Sequence, residues 1–309
     1  MSQVVRLFHG SQIVEDVLAV GRLYHDFFGS WVYEAQHLRA EGSVNSANLM
    51  GGTFSMEMLA PLDRDADTAE ARFLRRHGPH FNNIAFWVRD CRGLVERLLA
   101  HGVRVALRGR GVVDRLDDEP FDYAITHPKD TCGSVLELLE DRPIHDPRHM
   151  SWWSDTFWRE HHPLGIEGLS HCTIAVRDLD GATRFYADVL GCPLVHEQHD
   201  GARGAHSRFF AVGDTLVELA VPLHADSELA RHLHKHGPIT YAFTFKVPDL
   251  ARVADHARKH TLTTLATDAH TLELDRAQTF TGIWAFTDRV PPGHPSPPRA
   301  AAKEASRWP

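Results

Sequence analysis

The stretch that decides the fold is residues 168–191, GLSHCTIAVRDLDGATRFYADVLG. Its first part alternates apolar residues around His171, a pattern typical of a half-buried β-strand. An Asp-Leu-Asp turn follows, and its first aspartate, Asp178, comes directly before an amphipathic segment that ends at Gly191. Aspartate before and glycine after such a segment mark the start and the end of a helix. The stretch therefore predicts a strand, a turn and a helix, with one histidine in the strand.

The same pattern occurs near the N-terminus, in residues 8–29, FHGSQIVEDVLAVGRLYHDFFG. The two stretches align without a gap at an offset of 162 positions, which is 171 minus 9. The aligned pairs of identical residues are His9 with His171, Asp16 with Asp178, Tyr24 with Tyr186, Asp26 with Asp188 and Gly29 with Gly191. Residues 52–62 also align with residues 213–223, so that Glu57 corresponds to Glu218 at an offset of 161. This agreement indicates an internal duplication.

Two further units of the same kind lie between and after these stretches. Residues 80–102 and 239–260 each read as a strand, an aspartate turn and a helix. Their last strands fall within residues 126–142 and 275–289, where Glu137 aligns with Ala285. The chain is thus predicted to contain four units, each with a strand, a helix and about three more strands.

The fourfold pattern H-x-x-I-A-V-x-D-L…F-Y-x-x-x-L-G resembles the vicinal oxygen chelate superfamily of glyoxalases, bleomycin-resistance proteins and extradiol dioxygenases, from about residue 5 to residue 289. The resemblance implies an α+β fold in which four βαβββ modules pair into two half-barrel, glyoxalase-like domains. Within the second unit, residues 126–138 (THPKDTCGSVLEL) are similar to a segment of methylmalonyl-CoA epimerases. The superfamily contains isomerases, epimerases, lyases, dioxygenases and metal-free binding proteins, so the fold does not specify the reaction.

The unit boundaries predict four regions. Residues 1–142 form the first domain with modules one and two, and residues 168–290 form the second with modules three and four. Residues 143–167, rich in Trp, His and Pro, connect them and are expected to pack across both halves. Residues 291–309 form a proline-rich tail that we expect to be disordered.

The resemblance also implies where a metal would bind, because each module offers two strand positions that face the inside of a cup. Carried over to this sequence, the positions are His9 and Glu57 in unit one, Asn83 and Glu137 in unit two, His171 and Glu218 in unit three, and Ala242 and Ala285 in unit four. The two alanines cannot bind a metal, and Asn83 is the weakest of the remaining candidates. Independently of the family, a glutamate buried on an apolar strand costs several kcal/mol unless it is paired, protonated or bound to a metal.

The composition of the cup depends on which modules pair. If consecutive modules pair, the first cup holds His9, Glu57, Asn83 and Glu137, and the second retains His171 and Glu218. If module two pairs with module three instead, the richer cup holds Asn83, Glu137, His171 and Glu218. The duplication of 162 residues favours consecutive pairing. Glu137 belongs to the richer cup in both arrangements.

These features predict a metal-dependent enzyme that chelates two neighbouring oxygens of a small organic substrate and stabilises an enolate-type intermediate. The cofactor would be a divalent Fe, Mn, Zn, Ni or Co ion, and Glu137 would exchange a proton with the substrate carbon as the catalytic residue. The reaction would be an isomerisation, epimerisation or lyase reaction. Lys129 and Arg110 are candidates for contact with an anionic substrate. Two alternatives are an extradiol-type ring-cleaving dioxygenase and a metal-free protein that binds small molecules.

The bulk composition is that of an ordinary globular protein. The formal net charge is -8 with interspersed signs, which argues against a nucleic-acid partner. The sequence contains no run of about 18 apolar residues, which a membrane-spanning helix would need. It also shows no hydrophobic signal segment at its start, so we expect a cytoplasmic protein. The four cysteines are scattered and are expected to be reduced. The expected partner is a small-molecule substrate, and a homodimer is possible.

Overall fold

Each of the four repeats begins with a strand that an aspartate-capped helix follows. The cap side chain accepts hydrogen bonds from backbone N–H groups of the first helical turn, which have no partner within the helix. Asp16 accepts from Leu18 and Ala19, and the equivalent caps of the other repeats are Asp90, Asp178 and Asp249. Gly29 ends the first helix in the left-handed conformation. The predicted strand, turn and helix are therefore confirmed in all four repeats.

The computed structural model describes residues 4–38, 42–140, 148, 150 and 153–295. The strands of the first two repeats are β1 (Val4–Ile13), β2 (Trp31–Leu38), β3 (Ser43–Gly51), β4 (Phe54–Pro61), β5 (His80–Val88), β6 (Val105–Leu107), β7 (Gly111–Val113), β8 (Tyr123–Thr126) and β9 (Val135–Glu140). Their helices are α1 (Val17–Phe28), α2 (Ala69–His77) and α3 (Cys91–Ala100).

The last two repeats follow the same order. Their strands are β10 (Gly168–Ala175), β11 (Leu194–Asp200), β12 (Ala205–Val212), β13 (Thr215–Pro222), β14 (Ile239–Lys246), β15 (Thr264–Asp268), β16 (Thr271–Leu274) and β17 (Ile283–Thr287). Their helices are α4 (Leu179–Arg184), which continues as a π-helical turn over Phe185–Val189, then α5 (Glu228–His236) and α6 (Leu250–Lys259). No helix within these described ranges is both long enough and apolar enough to cross a bilayer.

Consecutive repeats share a sheet. The first sheet has nine strands in the order β2-β3-β4-β1-β5-β9-β8-β6-β7, and the second has eight in the order β11-β12-β13-β10-β14-β17-β16-β15. In each sheet the first strands of the two repeats pair antiparallel, and each first strand also pairs parallel with the last strand of its own repeat. The fold is thus α+β, with two curled sheets that each contain two modules, as the resemblance implies. Modules one and two share one sheet, which is the consecutive arrangement that the duplication favours.

Aromatic side chains join the two domains. Phe54 and Phe81 of the first domain pack against Phe243 of the second, with ring centroids 5.0 Å and 4.8 Å apart. Trp284 lies in the same cluster, 5.1 Å from Phe81 and 5.5 Å from Tyr24, and all five side chains are buried. Their burial supplies a large apolar contribution to domain association. The two sheets consequently share one continuous core.

The aromatic connecting segment contacts both domains. The Trp158 indole donates to the carbonyl of Phe28 in the first domain at 3.0 Å. Farther along, the ring of His162 lies 5.3 Å from that of His256 on α6 of the second domain. This is the packing across both halves that the aromatic content predicts. Trp152 and most of residues 141–152 lie outside the described residues, as do residues 296–309 of the predicted disordered tail. The bounds of the four proposed regions stay predictions.

The cysteines agree with the prediction from the sequence, whereas two of the helices were not predicted. All four cysteines are free thiols, and three of them are buried, as expected for a reduced protein. Helices α2 and α5, which precede β5 and β14, were not predicted from the sequence. Each is a single short amphipathic helix between a strand of one module and the first strand of the next, where the sequence reads as polar and charged.

A glycine contact between the domains gives a stability prediction. Gly133 has φ +99°, and a Cβ added there would lie 2.3 Å from the backbone of Pro238. Gly133→Ala is therefore expected to lower the free energy of unfolding by about 3 kcal/mol, from strain and overpacking together. Gly102→Ala is the matched control, because its φ is +75° but nothing lies within 4 Å. The control should cost about 1 kcal/mol in urea unfolding, and equal costs would show that the contact with Pro238 is unimportant.

Candidate metal centre

The strand register brings the four predicted residues of the first cup onto one face of the first sheet. Glu57 on β4 lies opposite Ser11 on β1, and Ser11 lies opposite Asn83 on β5. In the next row His9 lies opposite Ala85, and Ala85 lies opposite Glu137 on β9. His9 and Ser11 are two positions apart on the same strand, so both rows project from the same face. We call this face, with His9, Glu57, Asn83 and Glu137, the first cup.

Three of these side chains converge. His9 Nε2 lies 3.5 Å from an oxygen of Glu57 and 3.4 Å from an oxygen of Glu137. One ligand atom from each residue lies within 4.8 Å of the other two. Alanine at position 85 helps, because its small side chain leaves room for His9 and Glu137 to meet across the intervening strand. The structure thus brings together His9, Glu57 and Glu137 in one cluster, in which His9 and Glu137 are buried and Glu57 is half-buried.

Neutral donors hold the two carboxylates in place. Glu57 accepts a hydrogen bond from the Ser11 hydroxyl at 3.1 Å and another from the Asn45 amide. Glu137 accepts from the Asn83 amide. Asn83 therefore contacts the cluster, and its buried Oδ1 has no hydrogen-bond partner among the described residues. Because amide oxygen and nitrogen are assigned from their surroundings, the amide could rotate to present that oxygen to a cation.

The electrostatics of the cluster favour a cation at its centre. Burial lowers the pKa of His9, but the neighbouring carboxylates of Glu137 and Glu57 outweigh this, so its pKa is raised above the ordinary value. His9 Nε2 is buried and makes no well-formed hydrogen bond within the described part of the chain. Two carboxylates at this separation repel one another unless a positive charge lies between them. A neutral imidazole with two carboxylates balances the charge of a divalent ion and matches the donors that Fe, Mn, Co or Zn accept.

Tyr123 on β8 also belongs to the first cup, although the sequence reading missed it. Burial, together with the charges of Glu137 and Glu57, raises the pKa of its hydroxyl well above the usual value. The hydroxyl therefore stays protonated and can donate. Ser11 and Asn45 were missed as well. Ser11 could have been found, because it lies two positions after His9 on the same strand face.

The second domain repeats this geometry with different chemistry. Glu218 lies opposite Thr173, and Thr173 lies opposite Ala242, while His171 lies opposite Thr244 and Thr244 opposite Ala285. The fourth module thus contributes two alanines where the second contributes Asn83 and Glu137. We call the face with His171 and Glu218 the second cup.

An arginine occupies the second cup. The Arg203 guanidinium donates to both oxygens of Glu218, at 2.8 Å and 3.3 Å, and the Ser207 hydroxyl donates to the same carboxylate at 2.6 Å. Burial raises the pKa of Glu218, but Arg203 and His171 outweigh this and lower it to about 2. His171 Nε2 lies 3.6 Å from Glu218, and burial lowers the pKa of its ring to about 4. The geometry disfavours a metal here, since a guanidinium already neutralises the carboxylate.

The repeat alignment contains a signal for this difference. Arg203 aligns with Glu41 at the offset of 162, so the two modules carry opposite charges at one position. Glu41 itself lies outside the described residues.

Of the cations predicted to contact the substrate, Arg110 instead pairs with Asp117 at 2.8 Å and with Glu119 at 3.2 Å, and Lys129 is exposed. Arg108, which was not considered, stacks on the ring of Tyr123 at 4.3 Å.

The chain is similar to known proteins in both of its halves. Two family models match, at residues 9–121 and 168–289, and both describe the glyoxalase/bleomycin resistance protein/dioxygenase superfamily. The chain is 36% identical over 69 residues to uncharacterized protein YqjC of Bacillus subtilis (strain 168), which is 22% of this chain and 49% of that protein. It is 37% identical over 68 residues to mitochondrial methylmalonyl-CoA epimerase of Mus musculus, covering 22% of this chain and 38% of the epimerase. The chain thus spans about half or less of the length of these relatives.

A solved structure extends the likeness over nearly the whole chain. A mutant of 4-hydroxymandelate synthase from Streptomyces coelicolor superposes with a TM-score of 0.66, over 94% of this chain and 95% of that chain. The sequence identity is 14%, so the likeness concerns the fold alone.

The ion pair of the second cup can be tested by a double-mutant cycle. Arg203→Met leaves the buried Glu218 carboxylate without its cation and is expected to cost about 3–5 kcal/mol of unfolding free energy. The double variant Arg203→Met/Glu218→Gln removes both charges and should recover most of that loss in urea titrations. A double variant as unstable as Arg203→Met would contradict the pairing. Arg258→Met, which breaks an exposed pair with Asp255, is the control and should have little effect.

The same pair gives a pH prediction. The folded-state pKa of Glu218 is depressed from 4.5 to about 2, so its contribution to stability is present above the unfolded value and is lost as the pH falls through 2. The stability advantage of the wild type over the double variant should therefore shrink between those values. An advantage that stays constant in acid would mean that Glu218 is not held ionised by Arg203.

Proposed function

Because the chain belongs to the glyoxalase/bleomycin resistance protein/dioxygenase superfamily, we propose that its first cup is the active site of a metal-dependent isomerase, epimerase or lyase. The enzyme would act on a small substrate with two neighbouring oxygens and stabilise an enolate-type intermediate. One observation carries the proposal. His9 Nε2 is buried without a well-formed hydrogen bond among the described residues and lies within 3.5 Å of two carboxylates. Such an arrangement needs a positive charge, which a proton on His9 or a bound cation would supply, and a bound cation would in addition use the unpaired Nε2 as a ligand.

The residues that would hold the ion are His9, Glu57 and Glu137, with Asn83 as a weaker fourth ligand through its amide oxygen. A divalent ion bound there would supply Lewis-acid polarisation of the substrate oxygens and so make the neighbouring C–H group more acidic. More oxygen than nitrogen donors favours Mn or Fe among the ions considered. The hydrogen bonds from Ser11 and Asn45 would keep Glu57 oriented, as the outer partners of metal ligands usually do.

Glu137 is the proposed proton-transfer residue. A carboxylate that accepts a hydrogen bond from Asn83 is fixed in orientation, which general base catalysis requires. Glu137 Oε2, which lies on the side of His9, would accept the proton from the substrate carbon and return it. The protonated Tyr123 hydroxyl would stabilise the carboxylate before the transfer. Placing the base beside a Lewis acid lets both act on one substrate carbon and its oxygens.

The relatives bear on the class of substrate. Methylmalonyl-CoA epimerase, by its name, acts on a thioester of a branched diacid, and the matching segment is 37% identical over 68 residues. We therefore propose an acid or thioester with an acidic C–H beside a carbonyl. Arg108, exposed and stacked on Tyr123, would contact a carboxylate or phosphate of that substrate.

Ring-cleaving dioxygenase chemistry is the second candidate, since the superfamily includes dioxygenases. The oxygen-rich donors of the first cup also suit Fe(II). In the extradiol pattern, however, the ligands come from the last two modules, and here those positions carry Ala242, Ala285 and the Arg203–Glu218 pair. In a metal-free binding protein the first cup would depend on a protonated His9 to balance its two carboxylates.

The proposal predicts that Glu137→Gln impairs both metal binding and proton exchange. Mn²⁺ titration followed by electron paramagnetic resonance should show an affinity loss of at least about 10–100-fold, which is what an outer partner of a metal ligand alone contributes. The exchange of the methylmalonyl-CoA α-proton in D₂O, followed by NMR, should slow by about 100-fold or more, because a general base typically contributes that much.

Repeat-equivalent histidines provide the matched control. His9→Gln should lose Mn²⁺, whereas His171→Gln, which changes the second cup, should retain it together with exchange. Wild-type protein that binds no Mn²⁺ and no Fe²⁺ would refute the metal assignment. Metal binding without proton exchange, accompanied by oxygen uptake with catechol under Fe²⁺, would instead support the dioxygenase.

A further inference from the structure

A second cluster of histidines lies at the junction of the two domains, away from both cups. His80 begins β5 in the first domain, while His232 and His236 lie one helical turn apart on α5 in the second. Helices α2 and α5 occupy equivalent positions in the duplication, 159 residues apart, as 228 minus 69. They contact one another across the domain junction. The cluster is therefore built from elements that meet only when the domains are docked.

The three rings are close enough to share an ion. Ring centroids lie 5.0 Å apart for His80 and His232, and 4.8 Å apart for the two pairs that involve His236. One ring nitrogen from each residue lies within 4.8 Å of the other two. His80 and His232 are only 2% and 5% exposed. Small side-chain rotations would bring these nitrogens to the separation that a tetrahedral ion with bonds of about 2.0–2.1 Å requires.

The hydrogen bonds of the rings leave lone pairs for a metal. His80 Nδ1 lies 3.0 Å from the carbonyl oxygen of Phe81, so this nitrogen carries the proton and Nε2 keeps its lone pair. A backbone carbonyl in this position is the usual outer partner of a metal-binding histidine. His232 Nε2 and His236 Nδ1 are buried and have no hydrogen-bond partner among the described residues.

The rings are also in the protonation state that metal binding requires. Burial lowers the pKa of His80 to about 3 and that of His232 to about 2, and it lowers the pKa of His236 as well. All three are therefore neutral imidazoles near pH 7. Packing alone does not explain them, because apolar side chains would fill the junction without burying unpaired nitrogens.

We propose that His80, His232 and His236 bind one divalent transition-metal ion, such as Zn²⁺, and that this ion links the two domains. Imidazole nitrogens alone suit Zn²⁺, Ni²⁺ or Co²⁺, whereas the oxygen-rich first cup suits Mn²⁺ or Fe²⁺. The fourth position opens into a cavity of about 160 Å³ that Glu228, Lys235 and Arg276 also line. Arg231, Lys235 and Arg276 line this cavity, and Glu228 already pairs with both arginines, so the fourth ligand would be hydroxide or another small anion.

Helix α5 offers a matched control for this site. His234 lies between the two proposed ligands in sequence, but its side chain is exposed on the other side of the helix. His234→Ala therefore removes a histidine from the same helix without touching the cluster. The first cup provides a second control, because Glu137→Gln should leave the junction site intact.

The test is titration with Co²⁺, whose visible absorption is intense in a tetrahedral site, followed by competition with Zn²⁺. Wild type, His234→Ala and Glu137→Gln should all develop the tetrahedral spectrum at one equivalent. His232→Ala and His236→Ala should lose it, with affinity reduced at least on the order of 100-fold, the upper end of what an outer partner of a metal ligand contributes. In the Glu137→Gln background, which removes a proposed ligand of the first cup, Zn²⁺ should raise the melting temperature, and adding His232→Ala to that background should abolish the rise, whereas adding His234→Ala should not.

Folding of the variants is checked by circular dichroism without metal. His236→Asn, at a half-buried position, replaces His232→Ala if the latter does not fold. The proposal is overturned if the wild type gives no tetrahedral Co²⁺ spectrum, or if folded His232→Ala or His236→Asn binds Co²⁺ like the wild type. It stands or falls independently of the first cup, since loss of Mn²⁺ binding there would not change the Co²⁺ spectrum.

Discussion

The pairing of β1 with β5 is the constraint on which the rest of the structure depends. It joins the first strands of two modules antiparallel, so that Ser11 faces Asn83 and His9 faces Ala85. Each first strand also pairs with the last strand of its own module, which adds Glu57 on one side and Glu137 on the other. A shift by one residue would turn every one of these side chains to the opposite face. The register of four central strands therefore decides whether a metal cluster can exist.

The two cups show how one scaffold supports two electrostatic solutions. In modules one and three, a glutamate on the last strand lies beside a histidine on the first strand, Glu57 beside His9 and Glu218 beside His171. In the second cup the buried glutamate is neutralised by Arg203, and the neighbouring module adds only alanines. In the first cup the neighbouring module adds a second carboxylate, so the local charge becomes more negative. A buried charge needs a partner, and the two cups differ in that an arginine supplies it in the second, whereas in the first the nearest group that can carry a positive charge is the imidazole of His9.

The junction of the domains combines apolar and polar contacts. Phe54, Phe81, Phe243 and Trp284 form an aromatic core that excludes water between the sheets. At its edge the imidazoles of α5 and β5 replace these apolar contacts with polar rings, of which His80 and His232 are buried and His236 is half-buried. The aromatic core fixes how the domains dock, and the docking brings together histidines that are 152 residues apart in the chain, as 232 minus 80. Chemistry at this junction thus depends on apolar packing elsewhere.

The sequence by itself determined the module and the residues available to it. Apolar alternation, aspartate caps and the duplication predicted the repeated strand and helix, because these patterns depend on neighbours within a few residues. The positions His9, Glu57, Asn83 and Glu137 could also be proposed, because the resemblance to the superfamily implies two ligand positions in each module and the repeat locates them in this sequence. Only the tertiary structure decided which modules share a sheet, since strand pairing joins residues far apart in the chain. It also decided that Arg203 reaches Glu218 and that α5 meets β5, because such contacts follow from docking and leave no local periodicity in the sequence.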